Sequence, residues 1–179
     1  MTKIVAVIGR SGSGKTSTIE HLISNLSREG FSVGTIKHVH ELDFTIDTKG
    51  KDTWRYGKAG AKAIAIIAPT EVDIIMKKSY SQISLDDIIN KLRGEGLDVI
   101  FLEGFHSLIA KRGDVSKIVV AKGEEDLGGI MKGTAPPILA ITGTVAKLKP
   151  RLSGCEVPII DMYSEGDKLV QLVKDYILG

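Results

Sequence analysis

The chain has 179 residues, of which 42% are hydrophobic and 26% charged, and a formal charge of +2. That is the profile of one folded domain with a core of its own, spanning residues 1–179, and it excludes a disordered chain. So small a charge argues against a nucleic-acid partner while leaving room for a local basic pocket.

Ile4 to Ile8 is a continuous apolar run, as expected of a strand buried on both faces. A glycine-rich loop follows. Ile19, Leu22, Ile23 and Leu26 then fall on one face of a helix, which should stop at Gly30. Phe31 to Ile36 predicts a second strand, so the first 36 residues form a β-α-β unit. From Lys37 to Lys51 the chain is polar, and a loop of this length is usually functional. Asp52 to Gly60 predicts a short helix with Asp52 as its N-cap. Ala63 to Ala68 and Val72 to Met76, split by Pro69-Thr70-Glu71, predict a hairpin that gives the sheet an antiparallel edge.

Ser84 and Asp87 have the spacing of a capping box and open a helix with Leu85, Ile88, Ile89 and Leu92 on one face. Val99 to Leu102 predicts a buried strand ending in Glu103-Gly104. Ile118 to Ala121, Ile138 to Thr142 and Val157 to Ile160 predict three more, and Lys122 to Thr134 reads as loop. A closing helix carries Leu169, Leu172, Val173, Tyr176 and Ile177. Strands alternate with helices throughout. The expected class is therefore α/β, a mostly parallel sheet with helices on both faces and ligands beyond the carboxyl ends of the strands. The single cysteine, Cys155, reads as a passive residue beside a strand, compatible with a reducing cytoplasm. No signal peptide and no apolar run of about 20 residues is apparent, so a cytoplasmic protein without a membrane partner is expected.

Gly9-Arg10-Ser11-Gly12-Ser13-Gly14-Lys15-Thr16 fits G-x-x-x-x-G-K-[ST] between a strand and a helix, the context a phosphate-binding loop requires. Its glycines let backbone N–H groups turn toward phosphate, at a helix N-terminus that favours negative charge. Lys15 is expected to reach the outer phosphates, with Ser17 beside it, and Thr16 to offer its hydroxyl to Mg²⁺. Such a site needs an acidic group at a neighbouring strand end. Asp98 lies at the wrong end of its strand and Glu103 at the right one, so Glu103 is expected to serve the metal or the attacking water.

Lys37, Lys49, Lys51 and Arg55 could grip a second phosphorylated ligand. His38 and His40 lie two apart and would share one side of a strand, but no cysteine or third histidine is near, which argues against a metal there. The ordered set Gly9 to Thr16, Gly34 to His40, Asp47 to Thr53 with Arg55, Lys58 to Ala61 and Val99 to Phe105 resembles the MobB family of molybdopterin-guanine dinucleotide biosynthesis adaptors. The resemblance runs to about Phe105. It implies a P-loop NTPase fold, GTP bound with Mg²⁺, weak GTPase activity, and a homodimer. It further implies assistance to the guanylyltransferase that joins GMP to molybdopterin. Carried over, Asp52 would lie near the metal or the dimer seam, and Lys37, His38, Lys51 and Arg55 would face molybdopterin or its dinucleotide.

One departure stands out. The strand ending Thr142-Gly143-Thr144-Val145 has no aspartate where guanine-specific P-loop proteins commonly carry one, and Asp161 is the nearest candidate to bind the base. Two alternatives are a small-molecule kinase, for which Arg112 lies in a loop after Glu103 but no arginine-rich lid segment is seen, and a metallochaperone NTPase using His38 and His40.

Overall fold

The computed structural model describes residues 1–152 and 156–179. Cys155 therefore lies outside the described residues. The chain falls into two compact units, one made of Met1–His38 with Lys91–Gly179, the other of Val39–Asn90.

The first unit is built on five strands: β1 (Lys3–Ile8), β2 (Val33–Lys37), β5 (Val99–Glu103), β6 (Ser116–Val120) and β7 (Ile138–Thr142). All pair in parallel, in the order β2-β5-β1-β6-β7. Val5, Val7, Val99, Phe101, Ile118 and Val120 point to one face and form a core with Leu22 and Leu26 of α1 (Lys15–Arg28) and Leu169 and Val173 of a C-terminal helix. Ile4, Ala6, Ile8, Ile100 and Leu102 alternate with them and are equally buried, so the sheet is covered on both faces. That is why these strands read as unbroken apolar runs. Strand order places the carboxyl ends of β2, β5, β1 and β6 side by side. Asp98, at the opposite end of β5, accepts a hydrogen bond of 2.7 Å from the Ser32 N–H.

The second unit holds α2 (Asp52–Lys58) and the antiparallel pair β3 (Ala63–Ile67) and β4 (Val72–Met76). The hairpin forms as expected, but as a two-stranded sheet of its own and not as an edge of the parallel sheet. Lys51, not Asp52, is the N-cap of α2, and Asp52 is the first helical residue. Ser84 and Asp87 do form the reciprocal cap of α3 (Leu85–Arg93): the Ser84 N–H donates to Asp87 at 2.9 Å and the Asp87 N–H to Ser84 Oγ at 3.1 Å.

Three further departures appear. A short helix, α4 (His106–Ile109), follows β5. The stretch expected as loop after β6 contains α5 (Glu124–Lys132), with three carboxylates in its first turn facing the positive helix end. The expected strand at Val157 to Ile160 shrinks to a single bridge from Ile159 to Ile141, because the chain turns at once into α6 (Met162–Leu178).

Candidate phosphate site at the strand ends

The loop Gly9–Gly14 leaves β1 and enters α1. Gly12 and Gly14 hold φ of 65° and 102°, left-handed values that L side chains rarely adopt. Gly9 presses so close to β6 that a Cβ there would sit 2.2 Å from the Val120 carbonyl oxygen. The hydroxyl of Thr18 donates to the Gly14 carbonyl at 2.9 Å and fastens the loop to the first helical turn. Ser13 Oγ is buried without a hydrogen-bond partner.

Lys15 Nζ donates to the Arg10 carbonyl at 2.9 Å, bending back across the loop. Thr16 Oγ1 donates to Glu103 Oε1 at 2.9 Å, and Lys37 Nζ lies 3.5 Å from the same oxygen. Parallel register explains the meeting: Val7, Glu103 and Lys37 are paired across β1, β5 and β2. The sheet thus brings together Lys15, Thr16, Glu103 and Lys37, which sequence reasoning had to place separately. Thr16 Oγ1 and Glu103 Oε1 are hard oxygen donors, and their chemistry fits Mg²⁺.

Burial pushes the Lys15 ammonium below the ordinary lysine range. Glu103 pulls it back up, while Lys37 and Lys122 push it further down. Lys122 is a member of this cationic group that the sequence did not reveal. It follows β6, and its Nζ would lie 3.5 Å from a Cβ placed on Gly12. Arg10, in contrast, is engaged sideways, 3.1 Å from Asp126 of α5.

A small cavity of about 40 Å³ adjoins the loop, lined by Ser13, Gly14, Gly143, Thr144, Asp161 and Tyr163 among others. Asp161 therefore lines the same small cavity as Ser13 and Gly14 of the loop. One of its oxygens is already engaged: Oδ1 accepts from the Tyr163 N–H at 3.1 Å and caps α6. Gly143, φ 96°, allows this turn, since a Cβ would sit 2.4 Å from the Ala121 carbonyl oxygen.

The remaining candidates are distributed differently. His38 sits at the end of β2, its N–H donating to the Glu103 carbonyl at 2.9 Å and its ring 5.1 Å from that of Phe105. His40, Lys51, Asp52 and Arg55 belong to the other unit. There Asp52 lies 3.5 Å from Arg55. Arg112 donates to both oxygens of Asp114, at 3.0 and 2.5 Å. Among the described residues no group of three or more His, Cys, Asp or Glu is placed to hold a metal ion by itself.

A parallel sheet in this order, with a glycine loop between β1 and α1 and an acidic residue at the end of β5, defines the P-loop NTPase-like α/β class. Comparison with known proteins narrows that class to a family. Residues 4–143 match the model of MobB, described as molybdopterin guanine dinucleotide synthesis protein B, and the chain belongs to that family. It is 33% identical over 121 residues to a molybdopterin-guanine dinucleotide biosynthesis adapter protein of Haemophilus influenzae, covering 68% of this chain and 64% of the relative. A putative adapter of Methanocaldococcus jannaschii is 32% identical over 123 residues, covering 69% of this chain and 49% of that one. The matched region thus spans about half to two thirds of these relatives. The crystal structure of Bacillus subtilis MobB superposes with a TM-score of 0.76 at 26% identity, covering 97% of this chain and 96% of that one. No helix among the described residues is long and apolar enough to cross a membrane.

Proposed function

We propose that the protein binds GTP with Mg²⁺ and, as a slow GTPase, serves as an adaptor to the guanylyltransferase that attaches GMP to molybdopterin. The observation that carries this reading is the meeting of the phosphate loop with Glu103 through Thr16, at 2.9 Å, in a chain of the MobB family. Lys15 exchanges the Arg10 carbonyl for the outer phosphates. Thr16 and Glu103 would hold Mg²⁺, which would supply positive charge to offset that of the phosphates. Glu103 also orients the attacking water, and Lys37 limits the charge on its carboxylate. Lys122 supports the phosphates from the β6 side. Asp161 accepts from the base with the oxygen that does not cap α6.

His38, His40, Lys51 and Arg55 face the second ligand or the partner enzyme in this reading, with Asp52 at the metal or dimer seam. The chain pairs as a homodimer through its hairpin. Ala63, Ala65 and Ile67 of β3 and Val72, Ile74 and Met76 of β4 share one face of that pair. Ile67, Val72 and Ile74 are 84%, 64% and 65% exposed, an apolar surface that calls for a cover of the same kind.

The test is a reconstituted reaction with a molybdopterin guanylyltransferase, molybdopterin and Mg²⁺-GTP, read as guanine dinucleotide formed. Addition of the protein should raise the yield or rate, and Lys15→Ala should remove the gain. An equal rate with and without the protein would refute the adaptor role.

A further inference from the structure

The Val39–Asn90 unit contains a cavity of about 830 Å³ that the phosphate loop does not use. Its walls include Phe44, Lys49, Trp54, Lys58 and Lys77, with Asp43 as the one carboxylate. The three ammonium groups outnumber it, and among the described residues none of the three is held in an ion pair. Trp54 is half-buried, and Lys58 Nζ lies 5.5 Å from its ring centroid. Gly57 is part of the construction. A Cβ there would meet Lys77 Cε at 3.3 Å, so glycine in the last turn of α2 lets the Lys77 side chain pass the helix closely. The helix gives up some stability for this, since glycine is a poor helix residue.

An indole and a phenyl ring offer flat surfaces to a flat ring system. Ammonium groups around them act as point charges for phosphate. We infer that this cavity binds a phosphorylated heteroaromatic molecule of pterin size, its ring against Trp54 and its phosphate held by Lys49, Lys58 and Lys77. This rests on the reading of the protein as an adaptor in molybdopterin chemistry and names where on the chain the second ligand would sit. None of Lys37, His38, His40, Lys51 and Arg55 lines this cavity, so this placement leaves His38, His40, Lys51 and Arg55 to the partner enzyme.

Trp54 is the only tryptophan of the chain and therefore a built-in reporter. The experiment titrates the full-length protein with 6-hydroxymethylpterin monophosphate and follows Trp54 emission, with the unphosphorylated pterin and inorganic phosphate as separate arms. Saturable quenching is expected for the pterin phosphate, with weaker binding of either half. Lys58→Ala/Lys77→Ala should weaken binding by about tenfold or more, the loss expected for charge-assisted contacts. Both side chains are exposed, so the fold is retained. Lys15→Ala should leave this titration unchanged even if it abolishes GTP binding, which separates failure of this site from failure of the phosphate loop. Equal affinity for inorganic phosphate and the pterin phosphate, or binding untouched by the double substitution, overturns the inference. So does the absence of saturable quenching.

Discussion

Thr16 Oγ1 and Glu103 Oε1 lie 2.9 Å apart although 87 residues separate them in the chain. The parallel pairing of β1 with β5 creates this contact, because Val7 and Glu103 share a register position just before the loop begins. A hydroxyl and a carboxylate so placed are a ready pair for a hard cation. Glu103→Gln preserves size and hydrogen bonding but removes the charge. Steady-state hydrolysis of Mg²⁺-GTP should fall about 100-fold, at the lower end of what a positioned acid–base group contributes. Unchanged turnover would show that Glu103 has no part in the chemistry.

Lys15 gives a pH-dependent prediction. Burial lowers its pKa, Lys37 and Lys122 lower it further, and Glu103 opposes them. In the ligand-free protein Lys15 should therefore be acylated at lower pH than the exposed lysines, because the neutral amine is the reactive form. Glu103→Gln should lower the pH midpoint again, and Lys122→Ala should raise it. Residue-resolved mass spectrometry after acetylation over a pH series reads both shifts. A midpoint that ignores Glu103 and Lys122 would contradict the cationic cluster.

Lys117 is buried in β6, fully shielded from solvent. Its ammonium donates to the carbonyls of Arg112, Ala135 and Pro136. Lys117→Met leaves these acceptors without their donor and should cost about 1–3 kcal/mol in urea unfolding. Burial lowers the Lys117 pKa in the folded protein. Between that lowered value and the ordinary 10.5, the unfolded chain binds more proton than the folded one. Stability should therefore rise with pH across that alkaline window, and Lys117→Met should flatten the rise. A slope that survives the substitution would assign it to another group.

The hairpin predicts an association state. Ile74 lies opposite Ala65 on the exposed apolar face. Ile74→Asp places a charge there and should convert a dimer to a monomer in light scattering, with little change in the far-ultraviolet spectrum. A wild-type chain that is monomeric at high concentration would remove this face as a dimer seam.

Sequence patterns disclosed the parallel strands because burial on both faces leaves continuous apolar runs, as at Ile4 to Ile8. The phosphate loop was equally legible, since glycine spacing and Lys15-Thr16 are local. Helix α5 was hidden because Gly128 and Gly129 lie within it and only Leu127 and Ile130 are buried. Lys122 was hidden for another reason: only the pairing of β6 beside β1 brings Lys122, two residues past the end of β6, up to Gly12. The hairpin was legible as a hairpin, but alternation could not say which sheet it joins. β3 is apolar on both faces, and Asp73 is the one charged residue of the pair.

The most direct measurement of the central claim is calorimetric titration of Mg²⁺-GTP into the full-length protein and into Lys15→Ala. The wild-type protein should bind one nucleotide per chain, and Lys15→Ala should bind at least about 100-fold more weakly, as loss of a buried charge-assisted phosphate contact requires. Full affinity in Lys15→Ala would contradict the assignment of Gly9 to Thr16 as a triphosphate site.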